Sequence, residues 1–350
     1  MNNLYEEDLQ NTIRNVHNIS LLKDKTIFIT GASGLIGSFL IDLIMVLNKN
    51  KNYNTKIVAN ARNKERLEKR FSKYLNSDYF EECIGDINKT INYDKEINYL
   101  VNCASNTHPK LYSTDPIGTI MTNINGTYNM LELATKTNAK FLFLSSVEIY
   151  GENINNIGRF KENEMGYIDC NTARAGYNEA KRTGEALCQS FKESKNIEIN
   201  IVRLPRIYGP TIKKDDSKVM SQFINKALCN ENIVLKSDGT QYFSYLYVAD
   251  AVSGMLEIMI NGKNGEAYNL GNVSSDIHLK DLAKTIADIT NVKVVFDLPD
   301  ESEKKGFSKA TDARLDYTKI SSELGWNPKY DINSGVRRTI RIMKEKKENF

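Results

Sequence analysis

From Lys25 onward, short runs of apolar and β-branched residues alternate with longer stretches whose apolar positions recur at helical spacing. Thr26–Thr30, Lys56–Ala59, Tyr99–Cys103, Lys140–Ser145 and Glu198–Arg203 are continuous enough in hydrophobicity to be strands buried on both faces. The intervals between them leave room for helices, and parallel strands need such crossovers. The pattern therefore predicts an α/β chain on a doubly wound parallel sheet. After Tyr208 the alternation loosens into loops, helices and short strands such as Ile233–Leu235 and Lys293–Phe296. That change sets a smaller lobe over 208–350 apart from a main domain over 25–207. Residues 1–24 carry Leu9, Ile13, Val16 and Ile19 at helix-like spacing, which predicts an amphipathic helix packed on the main domain or on a neighbouring subunit. The Lys/Glu-rich end from Lys344 is expected to be solvated.

Composition narrows the classes. A 41% hydrophobic content is ample for a core, and 47 basic against 44 acidic residues, interspersed, give +3 without a basic face for nucleic acid. Five cysteines form no CxxC pair and are odd in number, which fits a reducing cytoplasm better than a disulfide framework. The apolar run Leu35–Leu47 is broken by Gly37, Ser38 and Asp42 and begins too late for a signal peptide, so neither export nor a membrane span is expected. Three scattered histidines without cysteines at ligand spacing predict no metal site.

The first strand runs into Gly31-Ala-Ser33-Gly34-Leu35-Ile36-Gly37 and then an apolar helix. A glycine at the turn, a second where a pyrophosphate nears the backbone and a third where helix meets strand make a dinucleotide cradle in this strand–turn–helix context. The second strand lacks the acid that would accept bonds from a free ribose 2′-hydroxyl. Ala61 stands there, followed by Arg62, and a guanidinium suits a 2′-phosphate, so NADP(H) is expected ahead of NAD(H). Asp86 and Ile87 are placed to contact the adenine, and Cys103, Ala104 and Ser105 close the fourth strand beside the cofactor. Asn123, in the next helix, supports that strand, and Leu204 lies at the end of a later one. Residues 25–207 thus read as a Rossmann-type dinucleotide-binding domain and 208–350 mainly as a substrate-binding lobe.

The fifth strand leads into Ser145-Ser146-Val147-Glu148-Ile149-Tyr150-Gly151, and Tyr177-Asn-Glu-Ala-Lys181 follows on a helix. Tyr177 and Lys181, four apart, share one helix face. An ammonium there is expected to lower the phenol's pKa, so that Tyr177 exchanges a proton with a substrate oxygen held by Ser146.

These motifs, with Arg203-Leu-Pro-Arg206-Ile-Tyr208-Gly-Pro210, resemble the extended short-chain dehydrogenases of the NAD-dependent epimerase/dehydratase family, over about residues 25–340. In pattern they are similar to UDP-glucuronate decarboxylases and nucleotide-sugar 4,6-dehydratases, whose C-terminal segment resembles Leu324-Gly325-Trp326-Asn327-Pro328. The resemblance implies a nucleoside-diphosphate sugar substrate, a cytoplasmic role in surface polysaccharide precursor synthesis, and a homodimer built from two helices per subunit, here Asn125–Thr137 and Ala175–Phe191. Leu131, Ala134, Ala180 and Leu187 suit that interface or the monomer core equally.

The departures from the family pattern matter as much. Glu148 matches the family's general base or else orients Tyr177 or a substrate hydroxyl, and Val147 stands where dehydratases often have a proton-donating acid. Phe243 stands where an arginine usually holds a phosphate, and the arginine that binds the carboxylate in decarboxylases aligns with Ala313, one position from Arg314. Arg206 replaces a common asparagine and offers another phosphate contact. Lys218, Phe223, Tyr242 and Arg314 complete the expected substrate-binding set by analogy. Arg62, Val147 and the missing anion clamps lead to an expectation of net reduction, NADPH reducing a nucleotide-linked keto sugar such as a CDP-linked ketose to an alditol. The alternative is an epimerase, 4,6-dehydratase or decarboxylase with internal hydride return.

Overall fold

The structure, a computed structural model, describes residues 3–107, 112, 114–213, 215–298 and 311–348. The chain begins with α1 (Asn3–Arg14), β1 (Thr26–Thr30), α2 (Leu35–Lys51), β2 (Lys56–Ala61), α3 (Lys64–Phe71), β3 (Phe80–Ile84) and β4 (Tyr99–Asn102). It continues through α4 (Pro116–Thr137), β5 (Lys140–Ser146), α5 (Ala175–Lys195), β6 (Ile199–Leu204), β7 (Arg206–Tyr208), α6 (Val219–Leu228), β8 (Ile233–Leu235) and β9 (Tyr242–Tyr247). The remainder is α7 (Val248–Asn261), β10 (Ala267–Asn269), β11 (Asp276–His278), α8 (Leu279–Thr290), β12 (Val294–Phe296), β13 (Asp312–Ala313), α9 (Thr318–Leu324) and α10 (Ile332–Glu348).

Seven strands form one parallel sheet in the order β10-β6-β5-β4-β1-β2-β3. The doubly wound α/β architecture expected from the sequence is therefore present. Period-two alternation explains the continuous apolar strands. Phe28, Val58, Leu100, Phe141 and Phe143 enter one core with Met130, Leu131 and Ala134 of α4 and Cys188 and Phe191 of α5. Ile27, Ile29, Ile57, Val101, Leu142 and Leu144 enter the other, under α2 and α7. Leu131, Ala134 and Ala180 are wholly enclosed in the monomer, and Leu187 packs against the same core.

Beyond β6 the chain builds a small sheet around β9, which pairs with β7 and β13 in parallel and with β11 antiparallel, and a separate parallel pair β8–β12. It then returns to the large sheet, since β10 pairs with β6. No helix among the described residues is long and apolar enough to cross a membrane.

The N-terminal helix joins this core. Leu9, Ile13 and Val16 are buried, as their spacing required. Asp8 accepts hydrogen bonds from Tyr247 Oη at 2.6 Å and Arg338 Nε at 2.6 Å, tying α1 to β9 and α10. On its other side, Tyr5 Oη donates to Asp42 of α2 at 2.8 Å, where Tyr74 Oη, at 2.8 Å, and Arg70 also donate. Burial opposes the Asp42 charge, but Arg70 and then Lys73 outweigh it and hold the carboxyl below its usual range. Replacing Asp42 with Ala leaves a partly buried guanidinium and two phenols without their acceptor. We expect a loss of about 3–5 kcal/mol in urea unfolding at pH 7. A depressed carboxyl stabilises above its unfolded pKa of about 4, so the gap between wild type and variant should narrow as pH falls below that. A loss under about 1 kcal/mol at pH 7 would contradict this role.

Candidate active site

The winding of the sheet reverses between β1 and β4, where a parallel sheet leaves a crevice at its carboxyl edge. A cleft of about 980 Å³ opens there. Its floor is the β1–α2 turn. Gly31 has φ +60°, and a Cβ on it would lie 3.0 Å from the Ala104 backbone; one on Gly37 would lie 2.7 Å from the Gly31 carbonyl oxygen. Gly34, at the N-cap of α2, has no side chain to occupy the first-turn N–H groups, which stay available to an anion. Thr30 Oγ1 donates to Asn102 Oδ1 at 2.8 Å and accepts from Ala104 N at 2.9 Å, locking the two strand ends that flank the crevice. This cradle fits the pyrophosphate of a dinucleotide.

The wall contains most of the cofactor residues read from the sequence: the turn from Gly31 to Gly37, including Ser33, Leu35 and Ile36, with Arg62, Asp86, Ile87, Cys103, Ala104, Ser105 and Leu204. Asn123 does not reach it. It is buried and accepts from Ser105 Oγ at 2.8 Å, so it acts on the cleft only by positioning Ser105. At the Arg62 end the wall also includes Arg66 and Lys213, which the sequence reading passed over. Arg66 lies four residues after Arg62, in the first turn of α3, close enough in sequence that it could have been flagged. Burial, and then the Arg66 charge, push the Lys213 ammonium below its usual pKa. Arg66 in turn donates to Asp215 at 3.3 Å.

Opposite the cradle, β5 ends at Ser146 and a single 3-10 turn, Val147–Tyr150, carries Glu148. Ser146 Oγ accepts from Glu148 N at 3.2 Å. Helix α5 is fastened to this turn, Asn178 Nδ2 donating to the Glu148 carbonyl at 2.9 Å and Arg182 Nε to the Ile149 carbonyl at 2.7 Å. Tyr177 and Lys181 thereby face the same cleft as Ser146 and Glu148.

The electrostatics differ from the expected pattern. Burial pushes the Tyr177 phenol up to about 12, while hydrogen bonding with Ser146 and Ser105 works in the opposite direction. Burial pushes the Lys181 ammonium down to about 8. Lys181 Nζ donates to the Leu144 carbonyl at 2.8 Å and lies 6.0 Å from the centre of the Tyr177 ring. The phenol is therefore raised rather than lowered, because desolvation, together with the Glu148 charge, outweighs the hydrogen bonds with Ser146 and Ser105 and the charge of Arg174.

Two groups without a motif complete this end. Tyr112 stacks on Tyr177 with ring centres 4.9 Å apart at 25°. Arg174, one turn before Tyr177, lies 4.8 Å over the Tyr112 ring and 3.8 Å from Glu148. Arg206 approaches Glu148 at 3.5 Å and lies 3.5 Å over the Phe243 ring. Helical spacing from Tyr177 marks Arg174, whereas Tyr112 gave no sequence signal.

Of the expected substrate residues, Arg206, Lys218 and Phe223 line the cleft. Tyr242 and Arg314 do not. The pairing of β13 with β9 sets them against each other, Arg314 lying 4.2 Å over the Tyr242 ring and donating to Asp312 at 2.8 and 2.6 Å. The charge that the sequence offered for an anion is already engaged.

A family model described as the NAD dependent epimerase/dehydratase family matches residues 27–271. UDP-glucuronic acid decarboxylase 5 of Arabidopsis thaliana is 32% identical over 317 residues, covering 89% of this chain and 86% of its own. UDP-glucuronic acid decarboxylase 1 of Danio rerio is 28% identical over 330 residues, covering 93% and 74%. Among solved structures, dTDP-glucose 4,6-dehydratase from Bacillus anthracis in complex with NAD superposes with a TM-score of 0.76 at 20% identity, covering 93% of this chain and 98% of that one. UDP-glucuronic acid 4-epimerase from Bacillus cereus, in complex with UDP-glucuronic acid and NAD, gives 0.76 at 23% identity over 91% and 99%.

Proposed function

The chain belongs to the NAD dependent epimerase/dehydratase family, and from that premise we propose that it oxidises a nucleoside-diphosphate sugar, transforms the keto sugar and restores the hydride, leaving the coenzyme unchanged. One observation carries this reading: Glu148 shares a wall with Ser146 and Tyr177. A base is required to take a proton from the carbon beside a new ketone and has no task in simple reduction. Net reduction by NADPH, expected from Arg62 and Val147, gives way for that reason and because the 32%-identical relative is named a decarboxylase.

A nicotinamide dinucleotide held by the Gly31–Gly37 cradle would supply hydride acceptance and return. Ser146 would hold the sugar oxygen, and Tyr177 would take and return its proton. Lys181, on the same helix face, favours the phenolate whenever it is charged. Val147 has no proton to donate to a leaving hydroxyl, which supports epimerisation at the carbon beside the ketone, where Glu148 has a proton to take, or a decarboxylation that needs no base, over dehydration.

A second reading concerns the coenzyme. The neighbours named above were solved with NAD, yet Arg62, Arg66 and Lys213 share the ribose end here. That cluster favours a 2′-phosphate. The exposed stripe Ile117, Met121 and Tyr128 along α4 supports a homodimer.

Three tests follow from these readings. With a nucleotide sugar that is turned over, Tyr177→Phe should lower kcat at least about 1,000-fold and Glu148→Gln at least about 100-fold, each with little change in coenzyme affinity; full activity of Glu148→Gln would remove the base. In titrations followed by nicotinamide fluorescence, NADPH should bind more tightly than NADH, and Arg62→Ala should erase the difference; tighter binding of NADH decides for NAD. In sedimentation, the wild-type chain should be a dimer at micromolar concentration and Met121→Glu with Tyr128→Glu a monomer, and a monomeric wild type would refute the interface.

A further inference from the structure

The Tyr177 phenol is hydrogen-bonded to two serine hydroxyls, and the proposed hydride cycle gives a task to only one of them. Ser146, at the end of β5, holds the sugar oxygen in that cycle. Ser105 stands just past the end of β4, the neighbouring strand, and lines the same cleft. Its proton is already committed. Ser105 Oγ donates to Asn123 Oδ1 at 2.8 Å, and the amide is oriented from its other side, where Asn123 Nδ2 donates to the Thr119 carbonyl at 2.8 Å. Asn123 is buried in α4, where an amide oxygen without a donor is costly.

A hydroxyl has one proton and two lone pairs. With its proton on Asn123, Ser105 offers Tyr177 only an acceptor, which suits a phenol that carries its own proton. Ser146 differs. Its oxygen accepts from Glu148 N at 3.2 Å, which leaves its proton for the phenol oxygen or for a substrate. When Tyr177 is a phenolate, a lone pair on Ser105 faces a charged oxygen that only a donor can satisfy. Rotation about the Cβ–Oγ bond carries the Ser105 proton from the neutral amide oxygen to the charged phenolate oxygen, and a hydrogen bond to a charged acceptor is the stronger of the two.

We propose that Ser105 is a positioning residue for the proton transfer: its hydroxyl turns between Tyr177 and Asn123, bonding the phenolate that is to receive the sugar's proton and the amide once the phenol has formed. Ser105 keeps its own proton throughout, and only the direction of its hydrogen bond changes. The sugar's proton passes to Tyr177 Oη and back. The inference rests on the proposed function for the task that the switch serves, whereas the switch itself belongs to the chain and needs no sugar.

The test uses the full, coenzyme-loaded chain with a fluorinated tyrosine at position 177, whose phenol is more acidic and titrates at lower pH, followed by fluorine NMR. Among the described residues, Glu148, Arg174 and Lys181 are the charged groups that face this phenol, with Tyr112 stacked on it, and no variant below removes any of them. Ser105→Ala, which deletes the donor, should raise the midpoint by about one pH unit, a tenfold loss of phenolate at a given pH. Asn123→Ala, which deletes the competing acceptor, should lower it. Ser105→Thr keeps the hydroxyl and should titrate close to wild type. Loosening of the site would move the first two variants in one direction, so opposite signs report the hydroxyl switch. An unchanged midpoint in Ser105→Ala, shifts of one sign in both Ala variants, or a Ser105→Thr midpoint equal to that of Ser105→Ala overturns the proposal. Should Asn123→Ala not fold, the Ala and Thr variants of Ser105 carry the decision alone. With a nucleotide sugar, Ser105→Ala should slow reduction of bound coenzyme about tenfold at pH 7, and the variant at about pH 8 should match wild type at pH 7; a slowing that higher pH does not offset contradicts the switch. If the midpoints shift as expected but no nucleotide sugar reduces bound coenzyme, the proposed function fails while the switch stands. If nucleotide sugars reduce the coenzyme and the midpoint ignores Ser105, the switch fails while the proposed function stands.

Discussion

The site depends on the pairing of β1 with β4. These strands are neighbours in the sheet but far apart in the chain, and their connections leave toward opposite faces. The carboxyl edge between them cannot be filled by either crossover, and the Thr30–Asn102 hydrogen bond fixes its width. Glycine at positions 31 and 37 is required because backbone lies within about 3 Å of where a side chain would begin. Once that edge is open and lined by the N-terminus of α2, the next strand along, β5, must deliver Ser146 and Glu148 to the same opening.

Burial then sets the chemistry. The same desolvation raises the Tyr177 phenol to about 12 and lowers the Lys181 ammonium to about 8, driving apart two groups whose ordinary values nearly coincide and favouring the neutral form of each. At rest the phenol keeps its proton. Whenever Lys181 carries its proton, its charge favours the phenolate. The guanidiniums around Glu148 work likewise at the substrate side, since a buried carboxylate is tolerated only where positive charge faces it.

Much of this was legible from local spacing. The glycine run, the Ser146 strand end and the four-residue interval from Tyr177 to Lys181 each sit within one turn or one helix, so covalent distance fixes their geometry. The amphipathic spacing of Leu9 and Ile13 likewise placed α1 on the core, with Val16 buried just past its end. Residues whose roles depend on pairing between distant segments were not legible. Arg314 and Tyr242 are removed from the cleft by the register of β13 against β9, and Asn123 is a support rather than a contact because Ser105 intervenes. Tyr112, at a helical position, and Lys213, in a loop, enter the cleft from segments that gave no sequence signal. The sign of the Tyr177 shift was misjudged from the sequence because charge is visible there and desolvation is not.

The central claim is that hydride leaves and returns within one turnover. The direct measurement is to supply a substrate nucleotide sugar carrying deuterium at carbon 4 and to follow both the label and the coenzyme. The account predicts that the product keeps the deuterium at carbon 4 while the coenzyme shows no net change. Consumption of reduced coenzyme in step with product, or transfer of the label to the coenzyme pool, would contradict it.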